Sequence, residues 1–381
     1  VSLMPLLCLT ALLHCILVLE KRISLTSWVL ILSISTFTLS MTGTFLVRSG
    51  ILNSVHTFAN DPARGIFILV FLFILVFIAI IIFFVFHKNR NEKYEKSYWL
   101  SKETSILVNN WFLMYFLSVI LIGTVYPIFL EVLSSQKISV GPPFYHKLII
   151  PFLIPFLVFM SIGPNLNWIK SKIIKFQIQN FLLLLISLFV SFVLSKNIGY
   201  LNLINVVLIS ASLYLFFITI KDFFSKEFKF YSQKISHLGF SVLILSILLN
   251  NILSNEVITN LKVGEKFNFN KGSIFFESIT KTESKNYKSI IGHFKILDSR
   301  KKMIQLKPEL RIYNQPAMIT SEADIKISLY SDKFLVMNLV KGSEYFNIKY
   351  QYKPFMIWIW ISCLLIITGG FFSLTKRKYE K

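Results

Sequence analysis

Residues 42–86 read TGTFLVRSGILNSVHTFANDPARG and then IFILVFLFILVFIAIIIFFVF. The second part, 66–86, carries no charge and is long enough to cross a hydrocarbon core of about 30 Å as one helix. The first part closes another apolar run and then places Arg48, His56 and Arg64 where a membrane protein would ordinarily have bland linker. Asp61 fits a helix N-cap and Pro62 the first helical residue, so the following helix is expected to start at a fixed point. Arg48 and Arg64 would then flank His56 at the membrane surface, where a guanidinium fork can grip a carboxylate.

Outward from this stretch the apolar runs recur. Candidate spans lie at about 3–19, 26–47, 66–86, 105–126, 148–163, 181–195, 201–220, 235–253 and 354–374, the fifth and sixth being short for a bilayer core. Of the 381 residues 54% are hydrophobic, and the mean hydropathy is +0.64, which excludes an ordinary soluble domain. Alternate loops differ in charge. Lys21 and Arg22, with the basic residues of 88–102, 170–175, 221–234 and 376–381, fall on one side. The opposite short loops hold Arg48, Arg64, Lys137, Lys147 and Lys196, so the first side is expected to face the cytoplasm or matrix. The net charge of +21 is explained by this rule and by an anionic inner leaflet, with no nucleic-acid partner.

Residues 254–353 have a different period. Polar and apolar residues alternate in Phe346-Asn347-Ile348-Lys349-Tyr350 and in Glu309-Leu310-Arg311-Ile312, the signature of half-buried strands. Turn signals at Asn270-Lys271-Gly272 and Lys341-Gly342-Ser343 complete a pattern of about seven short strands, a sandwich or small barrel. The expected fold is an all-α polytopic membrane bundle of about nine transmembrane helices with an inserted extracytoplasmic all-β domain. Its parts would be a bundle over 1–253 with an outer loop at 43–65, the β domain over 254–353, and a last span with a basic tail over 354–381.

Other chemistries find little support. Cys8, Cys15 and Cys363 all lie in apolar runs without a CxxC pair, which argues against a disulfide framework, a zinc site or a thiol redox centre. No Ser/His/Asp spacing, phosphate loop or paired carboxylate stands out, and Glu20 reads as the sole acid beside a membrane run. The chain opens at Val1 without a basic n-region, as a chain starting inside a longer protein or at a non-standard codon would.

Six histidines remain as the side chains with cofactor potential. His237 opens the eighth span. A titratable ring there is either functional or an interfacial residue bonded to a neighbouring helix, and Gly239 beside it leaves room for a flat ligand or a close helix. His56, a loop residue, is either a solvated side chain or, with the two arginines and Phe58, one edge of a haem site: imidazole for iron, guanidinium for propionates. His14 lies within the first run, nearer its inner end by hydropathy, and on its own reads as a histidine buried between helices. His87 stands at a basic helix end, and His146 and His293 read as structural.

The strings MPLL and ALLHCILVLEKR at the start, TGTFLVRSGILNSVHTFANDPARG, GPPF, SHLGFSV, MITSEA and YKPFMIWIW span nearly the whole chain. Together they resemble the cytochrome c maturation protein F family, multi-pass haem lyases of cytochrome c assembly. The resemblance implies that His14 and His56 hold the substrate haem at the outer face, beside a tryptophan-rich loop that would precede Met4-Pro5. It implies that His237 is one ligand of a resident haem b whose second ligand lies in a span not present in these residues. It further implies thioether attachment to the CxxCH cysteines of apocytochrome c. The implied partners are that apocytochrome, a haem chaperone and apocytochrome-handling subunits, in a bacterial inner membrane or a mitochondrial one. Arg48 and Arg64 are assigned to the propionates on charge and position alone. Two other classes stay open: a membrane haem or solute transporter, and an assembly scaffold without catalysis.

Overall fold

A computed structural model describes residues 1–22, 24–49, 61–87, 98–134, 138–171, 178–199, 201–224, 231–270, 272–298 and 303–376. Among the described residues nine helices are long and apolar enough to cross a membrane, in the expected order. They are α1 (Leu3–Arg22), α2 (Thr26–Arg48), α3 (Pro62–His87), α4 (Lys102–Ser134), α5 (Pro142–Ile162), α6 (Ile178–Ile198), α7 (Leu203–Phe223), α8 (Tyr231–Leu253) and α9 (Met356–Lys376). The fifth and sixth are longer than hydropathy indicated. Pro142 after Gly141 starts α5 ahead of the polar trio Tyr145-His146-Lys147, and Lys196 closes α6. Both polar ends are helical but lower the local hydropathy.

Two compact units divide the chain. The first holds residues 1–192 and 202–215. Within it α1 turns Met4, Cys8, Ala11, Leu12, Cys15 and Val18 inward, one stripe at helical spacing, and packs on α2 and α4. The cysteines act as small polar fillers of that stripe. The Cys8 thiol donates to the Leu32 carbonyl at 3.5 Å, and the Asn110 amide donates to the Cys15 sulfur at 2.9 Å. Rings join α4 to α5, with Tyr115 on Phe152 at 4.2 Å and Phe116 edge-on to Phe156 at 5.5 Å. In α3, by contrast, Phe67, Phe73 and Phe84 are each 71% exposed, as expected of a helix bathed in lipid.

The second unit holds 193–201 and 216–381, including α8, α9 and ten strands between them. One sheet runs β1 (Asn255–Leu261), β10 (Phe346–Pro354), β9 (Ser331–Leu339), β8 (Asp324–Lys326). The other runs β2 (Lys266–Phe269), β3 (Gly272–Glu283), β4 (Tyr287–Asp298), β6 (Glu309–Tyr313), β7 (Met318–Glu322), with β5 (Met303–Leu306) also on β4. All pairings are antiparallel. Ile274, Phe276, Phe294, Ile296, Leu335, Met337 and Ile348 fill the space between the sheets, with Phe276 and Phe294 stacked at 4.2 Å. The predicted Lys341-Gly342-Ser343 turn is present, its glycine at φ 74. The strand count exceeds the expected seven because β2, β5 and β8 have four, four and three residues, too few for alternation to register.

Candidate functional site

The organising loop is closed at its base. The Asp61 amide donates to the Arg48 carbonyl at 3.2 Å, joining the end of α2 to the start of α3. Asp61 caps α3 as expected: its Oδ1 accepts the Arg64 amide at 3.2 Å. A Cβ added at Gly65 would meet the Ser49 Cα at 3.0 Å, so a side chain there would press the two helix ends apart by a few tenths of an ångström. Arg48 and Arg64 therefore stand at one neck, both exposed. Arg64 Nε is already paired with Asp61 Oδ2 at 3.0 Å, and this arginine side chain is 74% exposed. Such a pair is worth about 0–1 kcal/mol, so an incoming carboxylate can displace it. His56 lies outside the described residues.

His14 sits inside α1. Its Nδ1 is 2.8 Å from the Thr10 carbonyl, which can only accept, so Nδ1 carries the hydrogen and Nε2 keeps its lone pair. That is the tautomer an imidazole needs to ligate a metal through Nε2. Val1 reaches Gly43 closely enough that a Cβ there would clash at 2.7 Å, which sets the arginine neck at the Leu3 end of α1. At about 1.5 Å per residue His14 is roughly 16 Å from that end and 12 Å from the Arg22 end. The helix is continuous from Leu3 to Arg22, so His14 stands well inside the span and no first segment before it lies along the surface.

At the other end of α1 the structure corrects the reading of Glu20 as the only acid near a span. Glu103, in the first turn of α4, is 8% exposed. Its Oε2 meets Arg22 Nε at 3.3 Å and its Oε1 accepts the Ser24 hydroxyl at 2.7 Å. The signal was present: Ser101 accepts the Thr104 amide at 3.2 Å as an N-cap, and an acid in the turn after a cap is a helix-start mark.

In the second unit, Gly239 has its two readings decided. A Cβ there would stand 2.9 Å from the Ile366 amide nitrogen of α9, so the room beside it is filled by a close helix, not a ligand. Ser232 donates to the Gly369 carbonyl at 2.7 Å, and Ser236 lies where a side chain at Gly369 would have to be. Residues 232, 236 and 239 make one small-residue face. His237 lies one turn before Ser241, whose hydroxyl is 2.8 Å from that of Thr219 on α7. The imidazole is thus on the α7 side of α8, half-buried, away from the α9 contact. His146 is exposed near the start of α5, and His293 Nε2 is 2.8 Å from the Thr280 hydroxyl across β3 and β4. Among the described residues no three His, Cys, Asp or Glu side chains gather as a metal site.

These features define a multi-pass membrane protein with a β-sandwich before its last helix and imidazoles within its spans. Residues 252–354 match the family model described as the CcmF C-terminal beta-sandwich. The cytochrome c-type biogenesis protein CcmF of Pseudomonas fluorescens is 32% identical over 393 residues, covering 100% of this chain and 59% of the relative. Its counterpart in Escherichia coli K12 is 28% identical over 392 residues, covering 100% and 60%. A solved structure titled Cytochrome c Heme Lyase CcmF superposes with a TM-score of 0.73 at 19% identity, over 97% of this chain and 58% of that one. Over its whole length the chain is similar to CcmF proteins. It spans about three-fifths of the length of the curated relatives it matches.

Proposed function

We propose that this chain is a haem lyase subunit of cytochrome c maturation, holding substrate haem for attachment to apocytochrome c. The observation that carries this reading is the His14 ring, tied by Nδ1 to Thr10 with Nε2 left for iron, in the helix whose outer end meets the Arg48–Arg64 neck. His14 and His56 would take the two axial positions, and Arg48 and Arg64 the propionates. The ring would stay fixed until the substrate histidine displaces one imidazole. Each CxxCH thiol then adds across a vinyl group, S to one carbon and H to the other, with no net oxidation. His237 would hold a resident haem b, which supplies one-electron reducing power when bound. Its second ligand would come from another segment, as the resemblance implies. A haem chaperone and apocytochrome-handling subunits would deliver the two substrates. The setting would be a bacterial inner membrane, or a mitochondrial one for an organelle-encoded chain.

The test is haem-stained c-type cytochrome in cells carrying His14→Ala or His56→Ala, with the amount of membrane protein monitored. Both variants should lose covalent haem at unchanged protein level. Normal maturation in either removes that histidine from the role.

A further inference from the structure

The register of the first sheet fixes which of its turns meets the membrane. β10 ends at Pro354, directly before α9, and Pro354 pairs with Ser331, the first residue of β9. On the other flank β1 starts at Asn255, two residues past the end of α8, and pairs with Tyr352. The β8–β9 connection, Ile327-Ser328-Leu329-Tyr330, therefore hangs from the membrane end of the sheet. It is also fastened there. The Trp358 indole, in the first turn of α9, donates to the Leu329 carbonyl at 2.9 Å, and the Phe355 amide donates to the Tyr330 carbonyl at 3.0 Å. Ser328 closes the turn, its hydroxyl donating to the Ser331 carbonyl at 2.6 Å and accepting the Ser331 amide at 3.2 Å.

Although the turn is held so firmly, its apolar side chains point outward. Ile327 is 64% exposed, Leu329 59% and Tyr330 78%. Three large apolar side chains left in water at a fastened turn would each forgo the free energy of burial. Tryptophan in the first turn of a span marks the headgroup level, so the Leu329 carbonyl lies at that depth by its bond to Trp358. Lys353, opposite Asp332, and Lys326, opposite Lys333, stand one and two residues farther along the sheet from the membrane, Lys353 with its ammonium 5.7 Å from the Phe334 ring.

We propose that this turn inserts Ile327, Leu329 and Tyr330 into the bilayer leaflet on the β-sandwich side, with Lys326 and Lys353 against its phosphates. The sandwich is then fastened to the lipid at a third point besides α8 and α9, which sets its tilt over the membrane. The inference does not depend on haem binding by any residue.

The test uses the full chain with Cys363→Ser, in nanodiscs of phosphatidylethanolamine and phosphatidylglycerol, with a nitroxide on Leu329→Cys or, separately, Tyr330→Cys. The control is Ser343→Cys, at the far end of the same strand pair, about 30 Å away at roughly 3.4 Å per residue. Oxygen partitions into lipid and a nickel chelate into water. At both turn positions the oxygen-to-nickel accessibility ratio should exceed the control several-fold. A ratio equal to the control, or shielding from both reagents as under a protein partner, would overturn the insertion.

Discussion

The Asp61 amide and the Arg48 carbonyl lie 3.2 Å apart, so the two helices flanking the histidine loop are tied at its base before any ligand arrives. That tie holds both arginines on one rim.

Asp61→Ala removes both the cap of α3 and the partner of Arg64. The start of α3 should loosen by about 1 kcal/mol, the usual worth of an N-cap, whereas Asp61→Asn keeps the cap and should cost little. Hydrogen exchange at the Arg64 and Gly65 amides measures this. Equal protection in wild type and Asp61→Ala would remove the capping role.

The inner end of α1 predicts a larger effect. With Arg22 and Glu103 side chains 7% and 11% exposed, Glu103→Leu removes a carboxylate from a buried guanidinium and should destabilise by about 3–5 kcal/mol. The double variant Arg22→Met/Glu103→Leu should recover much of that loss. A double-mutant cycle on thermal unfolding decides, and simple additivity would show that the two charges do not act as a pair.

Between α8 and α9 the contact is set by absent side chains. Gly239→Ala pushes a methyl against the Ile366 backbone, which cannot swing aside, and should cost about 1–3 kcal/mol. Ser232→Ala loses one hydrogen bond and should cost about 0.5–1.5 kcal/mol. Unfolding in detergent compares them. A Gly239→Ala variant as stable as wild type would mean that the helices are not in close contact.

Much of the architecture was legible, for a physical reason: lipid and the sandwich core each impose a period or a run length on the chain. The run 66–86 could only be a span, and the alternation at 346–350 could only be a half-buried strand. What escaped were features set by a partner rather than by a period. Glu103 looks like any interfacial acid until Arg22 is seen beside it. Gly239 admits a ligand or a helix until α9 occupies the space, and β8 is too short to alternate. Of the candidate site, the cap at Asp61 and the two arginines at one rim could be read from the Asp-Pro corner. The tautomer of His14 could not, because it depends on where the Thr10 carbonyl points.

Whether His14 and His56 grip one haem iron is settled most directly by the iron's own spectrum. The chain, purified from cells with haem bound, should give a low-spin six-coordinate ferric signal by electron paramagnetic resonance. In both His14→Gly and His56→Gly that signal should turn high-spin or vanish, and added imidazole should restore it. A low-spin signal surviving unchanged in either variant would contradict the shared site.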